Sequence, residues 1–189
     1  MTELPLQRLL LQVIEALDRL AIPYAIMGGF AVRTWGIPRP TYDADLAVAA
    51  GGTGLQRLLA ALEGVGFTVP DEYRGGFLDS VGGMDKLKVT RFEEDTVWDV
   101  DLFLARGGLL QAAIARRRPV KLEGRSVSVM SPEDVILLKL LAFRRKDQVD
   151  VEEILKIAEG LDRAYLRAWA VRLGIADRLE TFLREAPPG

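Results

Sequence analysis

The chain has 189 residues, 49% of them apolar, and 25 lysines and arginines against 27 aspartates and glutamates, a formal charge of −2. That length suits one compact unit with a substantial core, and the near-neutral balance excludes a protein that coats nucleic acid through its overall field. Cysteine and histidine are both absent, which excludes disulfides, thiolate nucleophiles, imidazole bases and the usual zinc ligands; any metal must be held by oxygen, which favours magnesium or manganese.

No uninterrupted apolar run approaches the roughly 18 residues that suggest a membrane span. The opening MTELPLQRLLLQVIEALDRL lacks a basic leader followed by an apolar run and a cleavage site. A soluble, cytoplasmic protein is therefore expected, with no membrane partner.

Leucines and isoleucine at spacings of three and four predict an amphipathic helix over 5–20. Tyr24 to Met27 reads as a short strand that runs into Gly28 and Gly29, and FAVRTWG has helical composition until Gly36, Pro38 and Pro40 break it. Ala44 to Ala50 reads as a second strand, and LQRLLAALEGVGF as a helix with one apolar face. Between Thr68 and Met84 glycines and charges predict a mobile loop. KLKVTRF and TVWDVDLFL, separated by EED, predict a hairpin over 86–92 and 96–104. GGLLQAAIARRR reads as a helix, and PVKLEGRSVSVM as an extended pair turning at Glu123 and Gly124.

SPED, from Ser131, places serine at a cap, proline at the first helical position and acids in the first turn, so a helix starts there. Everything beyond reads as helical, with a frayed APPG tail. The expected class is α+β: a mixed sheet flanked by helices over 1–130, with a helical C-terminal part over 131–189.

Four carboxylates stand out inside apolar stretches. In TYDADL, Asp43 and Asp45 share a face if the strand begins that early, because strand side chains alternate; alone, such a pair is common in loops and turns. In TVWDVDLFL, Asp99 and Asp101 lie on one face with Val97 and Phe103, while Trp98, Val100, Leu102 and Leu104 form an apolar face. Acids in mid-strand repel one another and resist desolvation unless a cation or solvent compensates them. If the strands are neighbours, Asp43, Asp45 and one of Asp99 or Asp101 could surround a pair of divalent ions. Gly28 and Gly29, between strand and helix, let a phosphate approach backbone N–H groups, although such a pair also makes a tight turn without a ligand.

The string MGGFAVRTWGIPRPTYDADL resembles the signature of the polymerase-beta-like nucleotidyltransferase superfamily: hydrophobic residue, Gly, Gly or Ser, a spacer, then Asp-x-Asp between hydrophobics. Arg39, Thr41, Asp43 and Asp45 look like the Arg-x-Thr-x-Asp-x-Asp form of small bacterial members. VDLFL resembles the third-carboxylate strand, with Asp101 the better match and Asp99 the alternative. SPEDVILLKLLAFRRKDQVDVEEIL resembles the helical segment of nucleotidyltransferase-like abortive-infection (AbiEii-type) toxins, matched at Lys139, Arg144 or Arg145, Asp147 and Asp150. Gly29 departs from the serine of many members.

The resemblance implies a nucleotidyltransferase-type fold and transfer of a nucleoside monophosphate from a nucleoside triphosphate to a hydroxyl acceptor: a small molecule, a protein side chain or an RNA end. Asp43, Asp45 and Asp101 would hold Mg2+ or Mn2+, with Asp101 also helping to deprotonate the acceptor. Gly28, Gly29, Arg39, Thr41, Lys88, Lys139 and Arg144 would meet the nucleotide and its phosphates. A toxin setting implies an antitoxin partner; the alternative is a catalytically silent binding module on the same fold. Arg116 to Arg118 read as a charged helix end in preference to an RNA contact. Trp35, Trp98 and Phe103 read as core, and Tyr42 flanks the site.

Overall fold

A computed structural model describes residues 3–186 except 39, 40, 42, 82 and 94. Arg39 and Tyr42, together with the end of the tail, lie outside the described residues. In chain order the elements are α1 (Glu3–Arg19), β1 (Tyr24–Met27), α2 (Gly28–Trp35), β2 (Ala44–Val48), α3 (Gly52–Gly64), α4 (Asp71–Arg74), β3 (Asp79–Val81), β4 (Met84–Glu93), β5 (Thr96–Leu104), α5 (Gly108–Ala115), β6 (Arg118–Leu122), β7 (Arg125–Val129), α6 (Pro132–Ala142), α7 (Arg145–Ile157), α8 (Arg163–Arg172) and α9 (Ala176–Glu185).

The strands form one mixed sheet in the order β3-β4-β5-β2-β1-β7-β6. β2 runs antiparallel to β1 and parallel to β5, β1 runs parallel to β7, and the β4–β5 and β6–β7 pairs are antiparallel hairpins. The α+β class, with a mixed sheet flanked by helices, is therefore the observed one. α1 buries Leu6, Leu9, Leu10, Ile14 and Leu17 completely, the stripe its spacing predicts, and α3 adds Leu58, Leu59 and Leu62. On the central strands Leu46, Leu87, Val100 and Leu102 are fully buried, so the alternation in TVWDVDLFL places its apolar side in the core.

Three local expectations are corrected. The segment between Thr68 and Met84 is not a featureless loop: it holds the one-turn α4 and the edge strand β3, and Tyr73 donates its hydroxyl hydrogen to Asp79 at 2.9 Å. Short elements anchored by a single aromatic leave little periodicity to read. β2 starts at Ala44 as expected, leaving Asp43 just outside it, but ends at Val48, short of the expected Ala50. α5 ends at Ala115, and Arg118 already belongs to β6.

The helical segment from Pro132 is tied down through the first turn of α6. Ser131 Oγ accepts from the Asp134 N–H and donates to its carboxylate, capping the helix as SPED predicts. Asp134 and Glu133 are nevertheless fully buried. Tyr165 of α8 donates its hydroxyl to Asp134 at 2.6 Å, the Asp162 N–H donates to Glu133 at 3.0 Å, and Arg116 and Arg118 lie 3.5 and 3.7 Å from the Glu133 carboxylate. The Arg116 guanidinium also covers the Tyr165 ring at 3.8 Å. Two cations of the 116–118 cluster are thus engaged with buried acids, in keeping with their reading as structural charges. Tyr165→Phe removes the donor from a buried carboxylate and is expected to cost about 1–3 kcal/mol, lowering Tm by roughly 2–4 °C per kcal/mol in a chain of this size; a thermal melt followed by circular dichroism checks it.

Candidate active site

Parallel pairing of β2 with β5 sets Asp45 opposite Asp101. Both face a cavity of about 670 Å3 whose polar wall includes Asp43, Asp45, Thr41, Asp101 and Lys86. Gly28 and Gly29 close one side, and α6 with the start of α7 closes another through Lys139, Arg144, Lys146 and Asp147. Met84, Phe103, Val135, Leu138 and Leu141 give the same cavity an apolar side. Phe103 is both core and cavity wall, being 7% exposed.

The glycine pair is dictated by this crowding. Gly28 has φ +62°, and a Cβ there would overlap the Asp45 carboxylate; a Cβ at Gly29 would overlap the Thr41 hydroxyl. A serine at 29 would therefore collide with Thr41, whose own hydroxyl stands at that place. Thr41 is largely buried and donates to the Asp43 carbonyl at 3.1 Å, fixing the backbone that leads into Asp43 and Asp45. Gly28 and Gly29 open α2, so its first N–H groups lie beside the carboxylates, where the helix dipole favours anionic charge.

The four strand-associated acids differ in their partners. Asp99 accepts from Lys88 at 2.6 Å and from Thr90 at 3.0 Å, and these bonds hold it below the ordinary carboxylate range against the opposing pull of desolvation, the largest single influence. Asp101 accepts from Lys86 at 2.9 Å through Oδ2, while its buried Oδ1 has no hydrogen-bond partner. Among the described residues, Asp43 and Asp45 make no ion pair. Burial first, then Asp101, then Asp43, push the Asp45 carboxyl up to about 6, with Lys139 and Lys86 pulling the other way.

The expected residues thus separate. Gly28, Gly29, Thr41, Asp43, Asp45, Asp101, Lys139 and Arg144 come together around one cavity; Asp99 and Lys88 pair with each other outside its lining, and Arg39 is not among the described residues. Nothing in the sequence singles out Lys86 or Lys146; Lys86 reaches the cavity because of the β4 register, and Lys146 because α7 begins at its rim. Lys139 is almost buried and clasped by Asp147 and Asp150 at 2.9 and 2.8 Å, with Arg144 on the other oxygen of Asp147 at 2.6 Å. These contacts hold the Asp147 carboxyl low although its burial alone would raise it.

Among the described residues no group of three acids forms a ready cage for a metal ion. The donor set still fits magnesium, which binds through one or two carboxylates and fills the remaining positions with substrate phosphates and water. Asp45, half-buried beside Asp101 and Asp43 and without an ion pair among the described residues, is the carboxylate that most needs such a cation.

Residues 9–187 match the family described as nucleotidyl transferase AbiEii toxin, type IV TA system, and the chain belongs to that family. It is accordingly a nucleotidyltransferase. No curated protein matches it. Among solved structures, the antibiotic-resistance factor ANT(2'')-Ia is similar at TM-score 0.60 and 16% identity over 98% of this chain and 100% of that one. An antigenic nucleotidyltransferase-like protein from Paracoccidioides brasiliensis gives 0.54 and 21% over 97% and 94%. The lincosamide antibiotic adenylyltransferase LnuA gives 0.51 and 14% over 78% and 94%. At these identities the likeness shows a shared fold. No described helix is long and apolar enough to cross a membrane.

Because the folded-state value of Asp45 lies above the unfolded one, its ionised form opposes folding; the penalty is absent below about pH 4, grows towards pH 6 and is complete above it. Asp45→Asn is expected to stabilise the metal-free protein at pH 8 by about 1–3 kcal/mol and to change it little at pH 4. Melting curves at the two pH values check this; equal shifts at both would contradict it.

Proposed function

We propose that this AbiEii-family nucleotidyltransferase transfers a nucleoside monophosphate from a magnesium-bound triphosphate to a hydroxyl acceptor, in a toxin-antitoxin setting. The observation that carries the reading is the convergence of Asp43, Asp45 and Asp101 on the cavity closed by the Gly28–Gly29 turn. Asp43 and Asp45 would hold the divalent ion, which when bound neutralises charge on the triphosphate.

The α2 N–H groups beside Gly28 and Gly29 receive phosphate oxygens, aided by the helix dipole. Asp101 takes the proton of the acceptor hydroxyl; that oxygen bonds to the α-phosphorus, the bond from phosphorus to the bridging oxygen breaks, and pyrophosphate leaves. Lys139 is held rigidly by Asp147 and Asp150 and faces the departing charge, with Arg144 beside it. Lys146, exposed at the rim and without an ion pair among the described residues, adds a cation free to follow the pyrophosphate. The apolar wall around Met84, Phe103 and Leu138 suits a base or a sugar face.

Membership of a family described as toxins of a type IV system supports the toxin role and, with it, an antitoxin partner. The solved structures of similar fold include an antibiotic-resistance factor and a lincosamide antibiotic adenylyltransferase, which makes adenylyl transfer the first chemistry to try. Labelled transfer from each of the four α-32P triphosphates into pooled RNA, protein and small molecules tests the reading. Asp43→Asn with Asp45→Asn is expected to reduce transfer by at least ~100-fold, the scale of losing a main electrostatic stabiliser. Undiminished transfer by that double variant would overturn the assignment of Asp43 and Asp45, and no transfer by the wild type into any pool would point instead to a silent binding module.

A further inference from the structure

The carboxylates around the cavity are not equally short of positive charge. On β5 each acid already has its own ammonium group from β4: Asp99 has Lys88 at 2.6 Å, and Asp101 has Lys86 at 2.9 Å. The β4–β5 register makes this systematic, since Lys88 lies opposite Asp101 and Thr90 opposite Asp99, with Lys86 one pair further on the same face. Lys88 Nζ also stands 4.0 Å from Asp101 Oδ1, so Asp101 has a cation on either side. Across the parallel pairing, Asp45 has no such partner among the described residues, and neither has Asp43. Among the described residues, the missing positive charge is therefore confined to the β2 side of the cavity.

We propose that the site takes a single divalent ion with its triphosphate, at Asp43 and Asp45, and that Lys86 occupies the charge position at Asp101 that a second ion would fill. The inference rests on the proposed nucleotidyl transfer and departs from the expectation that Asp101 holds a second divalent ion. Lys86 is suited to the role because its side chain is only 15% exposed, lines the cavity wall and is hydrogen-bonded to Asp101, itself 18% exposed. A divalent ion placed on Asp101 would stand against this ammonium with little water between them, and the repulsion at short range in a poorly solvated site is large. Removing the lysine has the opposite effect: it leaves Asp101 anionic, opposite Asp45, with Oδ2 open and only Lys88, 4.0 Å from Oδ1, as a nearby cation. Lys86 also fixes the carboxylate through Oδ2, while the buried Oδ1 makes no hydrogen bond.

Equilibrium dialysis against Mn2+ and a non-hydrolysable triphosphate, with both counted per chain, tests this independently of turnover. The wild type and Lys86→Arg are expected to hold one manganese per bound triphosphate, and Lys86→Met two. Two ions per triphosphate in the wild type would overturn the inference while leaving nucleotidyl transfer intact. One ion in a Lys86→Met variant whose circular dichroism and melting match the wild type would also overturn it. Bound triphosphate with no manganese, or no triphosphate bound at all, would overturn the functional reading on which it rests. If Lys86→Met does not fold, the wild-type ratio alone decides between one ion and two.

Discussion

Two carboxylates, Asp45 and Asp101, face each other across neighbouring parallel strands in the middle of an otherwise apolar sheet. Much of the surrounding architecture can be understood as a response to that repulsion. The β4 hairpin partner places lysines over the β5 acids, α6 brings Lys139 close enough to lower the cost at Asp45, and Gly28 gives up its side chain so that the Asp45 carboxylate has room. What these devices leave is a residue of negative charge at Asp43 and Asp45, beside the N-terminus of α2.

The second layer of support is the helical segment. α6 contributes both the nearly buried Lys139 and part of the apolar cavity wall, so its placement determines the width of the cavity. That placement depends on its first turn, where Ser131, Glu133 and Asp134 engage Arg116, Arg118, Asp162 and Tyr165. Trp35, at the end of α2, adds a link by donating its ring N–H to the Met130 carbonyl at 2.7 Å. Charges far from the reacting groups thus hold the two sides of the cavity in register.

Much of this is legible in the residues alone, for physical reasons that can be named. Alternation in TVWDVDLFL assigns faces because a strand has a period of two, and the cap chemistry of SPED marks the start of α6. The separation of Asp101 from Asp99 is not legible, because both share a face and only the strand order brings one of them beside Asp45. The same holds for Lys86 and Lys88: two lysines two apart are equivalent until the register with β5 gives one to the cavity and the other to Asp99. Gly29 shows a third limit, since its lack of a side chain is explained only by Thr41, twelve residues on, pressing against it.

The account's central claim is that the charge left uncompensated at Asp43 and Asp45 is met by a divalent ion that arrives with the nucleotide. Crystals grown with Mn2+ and a non-hydrolysable triphosphate, with data collected at the manganese absorption edge, test it most directly. The account predicts an anomalous peak shared by the Asp43 and Asp45 carboxylates and the triphosphate oxygens, with the phosphates against the Gly28–Gly29 turn. A triphosphate bound there with no peak between those two carboxylates, or one bound elsewhere on the molecule, would contradict it.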